Sequence, residues 1–412
     1  MKVLLITHSY DPEATAPQRR WSAFVARLIH RGWDVDVVAP APHPDRSPAD
    51  AGSGGTFFRA EDGRHGERVH RVPLLRHTES RLSKLASNVL SSLSTVPRAL
   101  VASMSSGRPD VVVVTVPALP NTAAGYLLSI LWRRPLVVDM RDAWPDLARD
   151  AAIVTSRRPS VMEAVVTFVQ RRAAAVVSVT EGFAELLRQR GCQRVEVVPN
   201  GLTASRLPRQ AATAPALASA GKPSSAGEPL HVLYLGNHGE SQGLDVLIDA
   251  AQLAGDSVRL RMVGTGTMKE ELIERARAAG ADVDFLEATH GEETLAQYDW
   301  ADTAVVSLRD DWPSFERTIP SKTFELLAVS RHITAAVRGE ASEVLRAAGG
   351  ADVVAHDAEA MAELWQDLRR DPARLDVGTT GRRWVAEHRN LARLGDQFAD
   401  LLADLQTQRN HA

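Results

Sequence analysis

The chain has 412 residues, more than one ordinary hydrophobic core supports and enough for two domains of about 150 to 200 residues each. Hydrophobic residues make up 44% and charged residues 24%, the balance of a soluble globular protein, and a formal net charge of -3 argues against a nucleic-acid backbone as the main partner. The single cysteine, Cys192, excludes an internal disulfide framework and a cysteine-rich zinc site, and it fits a reducing cytoplasm.

The opening MKVLLITH reads as a buried strand, because its short apolar run passes straight into polar residues without a signal-peptide cleavage pattern. A helix is expected over residues 18–31, followed by the strand DVDVVAP. The irregular PHPDRSPADAGSGGTFFRAEDGRHGER comes next, either a mobile loop at the mouth of a cleft or a tolerated surface insertion. Residues 64–108 mix many Arg, Lys and His with Leu, Val and Ser. Such a segment suits peripheral contact with an anionic membrane or a lipid-linked phosphate, though a helix packed on its own core with a solvated basic face is the commoner arrangement. Beyond it DVVVVTV, LVVDM, AVVSVT and VEVVP read as strands buried on both faces, with a helix over residues 181–191. The most apolar stretch, around residues 123–132, falls short of the roughly 20 residues that cross a bilayer, so no span is expected.

Residues 203–229, rich in Ala, Pro, Ser and Gly, read as a flexible linker that closes a first domain over 1–202 and opens a second over 230–383. In the second domain HVLYLG, VRLRMVG, VDFLE and TAVVSL are strands, and the segments after Gln242, Met268 and Ile319 are helices. Alternation of this kind defines the α/β class, with two Rossmann-like domains facing each other across a deep cleft. Ligands of such sheets bind outside the carboxyl ends of the strands.

Candidate site residues fall at those ends. In GNHGESQGLDVLIDA, Gly236, Gly239 and Gly243 lead into a helix, either to let backbone N–H groups approach a pyrophosphate or to make a plain tight turn. Gly264 and Gly266 occupy the next such turn, and Thr289 and His290 follow the strand VDFLE. In IPSKTFELLA, Ser321 and Lys322 open a helix where an anion would meet N–H groups, a hydroxyl and an ammonium, and Glu325 can accept two ribose hydroxyls. A capping role for Ser321 fits the same residues. In the first half LVVDMRDAWPD runs a buried strand into Asp139, Arg141, Asp142 and Trp144, placing charges that serve a site or a salt bridge. His8, Glu13, Arg19 and Arg20 lie after the first strand, within reach of an acceptor or of solvent.

The order and spacing of HSYDPEATAPQRRWSAFVARLIHRGWDVDVVAP, DMRDAWPD, VVSVTEGFAELLRQRGC, VEVVPNG, YLGNHGESQGLDVLIDAA, MVGTGTMKEEL and IPSKTFELLAVSRHITAAVRGEASEVL resemble glycosyltransferase family 4 over nearly the whole chain. The nearest branch is that of O-antigen and capsule amino-sugar transferases. The resemblance implies a GT-B fold, a nucleotide-sugar donor (a UDP-sugar by preference) on the C-terminal domain and a hydroxyl acceptor, lipid-linked in some members, on the N-terminal one. It implies α-retaining transfer of a hexosyl or N-acetylamino sugar. The absence of a DxD motif at a strand end and of any Cys/His cluster with ligand spacing points to no metal, no cofactor is expected, and the expected place is the cytoplasm or the inner face of the membrane. Residues 384–405 would cross back onto the first domain.

Carried over residue by residue, the resemblance assigns the donor to Gly236, Asn237, His238, Gly239, Gln242, Gly264, Gly266, Thr289, His290, Ser321, Lys322 and Glu325. The resemblance gives Lys322 a part in catalysis, and their place at a strand's carboxyl end adds Arg141 and Asp142; the acceptor or sugar side is read at His8, Glu13 and Arg20 from their place after the first strand and at Glu316 and Arg317 from the spacing of the family's glutamates. The chain departs from the family in three places. Asn237 or His238 and Gln242 stand where a basic pair grips the diphosphate, Arg317 stands for the first of two spaced glutamates with Glu316 beside it, and Arg141 and Asp142 replace a histidine. Two other readings remain open, a nucleotide-sugar 2-epimerase and a binding scaffold without turnover. An NAD-dependent oxidoreductase would need a glycine fingerprint that neither half carries.

Overall fold

The computed structural model describes residues 1–13, 15–42, 60–73, 81–116, 119–143, 146–150, 161–203 and 228–411. Trp144, most of the expected linker and residues 43–59 of the irregular stretch lie outside the described residues. The chain divides into two compact units, Met1–Gly201 with Leu391–Ala412, and Leu202–Asn390.

The first unit is an eight-stranded sheet built from β1 (Lys2–Ile6), β2 (Asp34–Pro40), β3 (Glu61–Asp62), β4 (Arg68–Val72), β5 (Val111–Val116), β6 (Leu136–Met140), β7 (Ala175–Ser178) and β8 (Val195–Val197), in the order β3-β4-β2-β1-β5-β6-β7-β8. Every pairing is parallel except that of β3 with β4. Runs such as VVVVTV are buried along their whole length because helices cover both faces. On one face α1 (Ala16–His30) packs with α14 (Leu391–His411); on the other lie α2 (Arg81–Ser106), α3 (Leu119–Trp132), α5 (Val161–Arg172) and α6 (Glu181–Gln189), with the short α4 (Asp146–Asp150) between. Thr15 caps α1 by accepting from the Gln18 amide at 3.2 Å, and a proline in the first turn fits the same start.

Trp21, Phe24 and Leu28 recur at helical spacing along α1 and meet Phe398 of α14, whose ring lies 5.4 Å from both Trp21 and Phe24. Arg27 grips Asp396 at 2.8 Å beside this contact. The return to the first unit therefore begins at Leu391. This corrects the expected start at Trp384, which lies in α13 (Thr380–His388) of the second unit, where Val385 is buried and Arg389 stacks over Phe324 at 5.4 Å.

In the basic stretch 64–108, His70, Arg71 and Arg98 are buried, His65 and Arg68 half-buried, and Arg64 and Arg108 exposed, while the side chains of Arg76, His77, Arg81 and Lys84 lie outside the described residues. Asp36 of β2 gathers Lys2 at 2.7 Å, Arg68 and His70 at 3.0 Å and the Ser106 hydroxyl at 2.8 Å. Burial opposes its charge, yet these donors outweigh burial and hold the Asp36 carboxyl well below the usual range. Among the described residues no helix is long and apolar enough to cross a membrane.

The second unit carries β9 (Leu230–Leu235), β10 (Val258–Val263), β11 (Val283–Leu286), β12 (Thr303–Ser307), β13 (His332–Ala336) and β14 (Ala351–Val353), all parallel, in the order β11-β10-β9-β12-β13-β14. Its helices are α7 (Asp245–Ala254), α8 (Lys269–Ala279), α9 (Glu292–Trp300), α10 (Ser321–Val329), α11 (Gly339–Ala348), α12 (Ala358–Arg370) and α13. Leu247 and Ile248 of α7 and Trp365 and Leu368 of α12 share one core with β9 and β10.

Candidate functional site

In each sheet the winding reverses beside the first strand, between β1 and β5 in the first unit and between β9 and β12 in the second. Loops at the carboxyl ends of these strands diverge there and leave a crevice, the usual ligand position in an open α/β sheet. Gly236, Gly239 and Gln242 follow β9, Gly264 and Gly266 follow β10, Thr289 and His290 follow β11, and Glu316, Arg317, Ser321 and Lys322 follow β12. The second unit thus places the loops that carry the expected donor residues at one edge of one sheet.

The turn after β9 is closed by its own bonds. The Gly236 amide donates to Val263 at 3.0 Å and the His238 amide to Thr265 at 2.8 Å, while the His238 carbonyl accepts from Met268 at 2.9 Å. Gln242 Oε1 accepts from the Gly239 amide at 3.2 Å and from Asn237 at 3.3 Å, and the Gln242 and Gly243 amides bond back to Gly239 and Glu240. A Cβ on Gly264 would stand 1.9 Å from the Gly236 carbonyl, and one on Gly266 would stand 2.3 Å from the His238 carbonyl. These glycines exist because two strand-end loops touch backbone to backbone. With so many amides used internally, the turn offers an anion little by itself.

His238 also differs from expectation. Its side chain is 0% exposed, near Tyr234 and Phe285, and neither ring nitrogen has a well-formed hydrogen bond beyond a weak one with the Val263 carbonyl. Burial, reinforced by Lys269, pushes its pKa down to about 4. The imidazole is a neutral packing element, and only its backbone reaches the loop.

The start of α10 is different. Pro320 takes the cap position and no side chain caps the helix, so the capping role open to Ser321 is not realised. Ser321 is exposed. Lys322 Nζ donates to Glu325 at 2.8 Å and to the Tyr298 hydroxyl at 3.3 Å, with its side chain 27% exposed. Burial works against the ammonium, but Tyr298 and Glu325 outweigh it and its pKa rises. Lys322 is therefore a fixed positive charge at an uncapped helix start, beside a carboxylate a ligand hydroxyl can engage. Tyr298 comes from α9 and is a member of this group that nothing in the local sequence marks.

Arg309, just past β12, was also missed, although a charge after a buried strand was the signal used for Arg141. Its amide donates to Ser241 at 3.1 Å and its guanidinium clasps Asp311 at 2.6 Å. It lines a hollow of about 490 Å³ with Glu240, Asp245, Glu271, Glu274 and Arg275. Arg275 is committed to Asp249 at 2.6 Å. Four carboxylates against two engaged arginines make this hollow a poor seat for a diphosphate. Thr289 bonds Thr294 at 3.1 Å, while His290 and Glu316 are exposed and Arg317 half-buried.

In the first unit Arg20 is not available to an acceptor. It is 2% exposed, donates to the Pro199 and Val198 carbonyls at 2.6 and 2.8 Å, pairs with buried Asp139 at 3.2 Å and stacks 4.5 Å over Phe24. It ties α1 to β6 and to the chain after β8, a structural part where an acceptor contact was expected. Glu13 is likewise buried and accepts from Ser9 at 2.5 Å. Half-buried His8 and Arg141 and exposed Asp142 remain at the carboxyl ends of β1 and β6.

Residues 15–201 match the family described as Glycosyl transferase 4-like domain, and residues 229–371 match Glycosyl transferases group 1. Each unit thus carries a match to a glycosyltransferase domain, and the chain has the fold of the GT-B glycosyltransferases. Among solved structures it is similar to sucrose-phosphate synthase from Thermosynechococcus elongatus, at 18% identity with a TM-score of 0.74, covering 99% of this chain and 100% of that one. Anabaena HepE in complex with UDP aligns at 14% identity and TM-score 0.68, and in complex with UDP-glucose at 15% and 0.67, each over 98% of this chain and 100% of the other. No curated protein sequence matches the chain.

Proposed function

We propose that the chain transfers a hexosyl or N-acetylamino sugar, with retention, from a nucleotide-sugar donor, a UDP-sugar by preference, to a hydroxyl acceptor in cytoplasmic glycan biosynthesis. The observation that carries this reading is the start of α10, where Lys322 sits at an uncapped helix terminus with Glu325 2.8 Å away. Lys322 and the amides of Ser321 and Lys322 meet the diphosphate, and Glu325 turns to the ribose hydroxyls once phosphate takes over its ammonium partner. The UDP and UDP-glucose held by Anabaena HepE support a uridine nucleotide. The order of motifs along the chain supports the O-antigen and capsule branch.

Charge grows on the diphosphate as the glycosidic bond breaks, so a preorganised cation and helix terminus lower the barrier without a protein nucleophile or a metal. The departing phosphate takes the acceptor proton on the face it leaves. Arg141 and Asp142 serve the acceptor side.

Incubation with a panel of UDP-, GDP-, ADP- and TDP-sugars, with and without acceptor and chelator, tests the reading by product mass. Transfer that needs acceptor and survives chelation supports it. Conversion of donor alone would identify a 2-epimerase, and donor binding without turnover a scaffold.

A further inference from the structure

Among the described residues eleven large hydrophobic side chains are exposed, and eight of them stand on α2, α3 and α5. These helices lie side by side on one face of the first sheet, and Tyr126 of α3 meets Phe168 of α5 edge to face at 5.5 Å. On α3, Leu127, Ile130 and Leu131 are 58%, 55% and 59% exposed, while Leu128 and Trp132 face the core. A helix that is apolar all round is normally covered on all sides. Here the outer side is exposed, and on the neighbouring α2 Val101 and Met104 are exposed as well.

Charge is distributed just as unevenly. The chain has 51 acidic residues, yet α2, α3 and α5 together carry one, Glu163, which is buried and paired with Arg149 at 3.2 Å. At the far end of α3 a groove of about 610 Å³ is lined by Ile130, Arg133, Arg134, Arg172 and Arg409. Arg134 also lies 3.7 Å from Asp110, and Arg172 stacks 5.3 Å from the Phe168 ring. The patch ends at α6, where Glu181 and Glu185 are exposed.

We propose that the layer of α2, α3 and α5 docks on an anionic lipid bilayer, its leucine and isoleucine side chains entering the acyl boundary and its arginines meeting lipid phosphates. Apolar residues with an arginine-rich rim and no exposed carboxylate on the three helices match such a surface, where each exposed carboxylate would be repelled and each arginine attracted. The face takes in α2 from the basic stretch that the sequence suggested, but not its buried His70, Arg71 and Arg98. The proposal does not depend on the sugar or on the transfer reaction.

Flotation of the full chain with phosphatidylcholine vesicles, with and without about 30% phosphatidylglycerol, tests it. The chain should float with the anionic vesicles, bind neutral ones at least tenfold less, and release in about 1 M salt, where charges are screened within about 3 Å. Ile130→Glu with Leu131→Glu, both at exposed positions, should lower binding at least tenfold while circular dichroism and donor binding stay unchanged. No flotation with anionic vesicles, or equal flotation of the double variant, overturns the proposal. So does a dimer in size exclusion that the double variant converts to monomer, which would make a second copy the occupant of this face.

Discussion

His238 offers a pH test of how the donor loop is built. Its side chain is 0% exposed and its pKa stands near 4, against about 6.5 for a solvated imidazole. The folded pKa is the lower one, so stability is complete above pH 6.5 and is lost as pH falls towards 4, where the unfolded chain binds the proton and the fold does not. Linkage over this window gives a loss of about 2 kcal/mol by pH 5 and about 3 kcal/mol by pH 4. His238→Phe fills the same space without burying two poorly bonded nitrogens, so at pH 7.5 it should alter stability by less than about 1 kcal/mol. The assay is hydrogen exchange by mass spectrometry on β9 and β10 peptides in urea, corrected for intrinsic rates, at pH 7.5, 6 and 5. A wild type and a His238→Phe variant with parallel pH profiles would refute the reasoning, and so would a large loss in the variant at pH 7.5.

Three further outcomes follow from the packing. Gly264→Ala puts a methyl 1.9 Å from the Gly236 carbonyl at a φ of +145°, and it should cost about 1–3 kcal/mol in urea unfolding of the second unit. Arg20→Ala leaves Asp139 buried without its partner and should lower stability by about 3–5 kcal/mol; if Arg20 instead serves the acceptor, stability holds and only the acceptor KM rises. Asp36→Asn should weaken the first unit most at neutral pH, and acid titration of the wild type should lose the same stability as pH falls below about 3.8, because the folded carboxyl is held below that value.

Much of the architecture is written in short β-branched runs. VVVVTV and LVVDM have no polar face, which only a parallel sheet covered on both sides accommodates. The i, i+3 spacing of Lys322 and Glu325 likewise marks a pair at a helix start. What sequence hides is direction and company. Glycine spacing marks the turn after β9 but not that the His238 ring turns into the core or that Gly264 and Gly266 serve loop packing. Arg20 at a helix start reads as surface charge until β6 brings Asp139 beneath it, and Tyr298 joins Lys322 from another helix. The outer side of α3 belongs to the most apolar stretch of the sequence, and nothing in that stretch marks that Leu127, Ile130 and Leu131 stand open in the fold.

Calorimetric titration of UDP, GDP, ADP and TDP into the wild type and into Lys322→Ala tests the central assignment most directly, with circular dichroism to confirm that the variant folds. Loss of one charge-assisted contact to phosphate is worth about 1.5–3 kcal/mol, so the variant should bind the preferred nucleotide about 10- to 100-fold more weakly. Equal affinity in the two proteins, or no binding of any of the four by the wild type, would contradict the placement of the donor diphosphate at the start of α10.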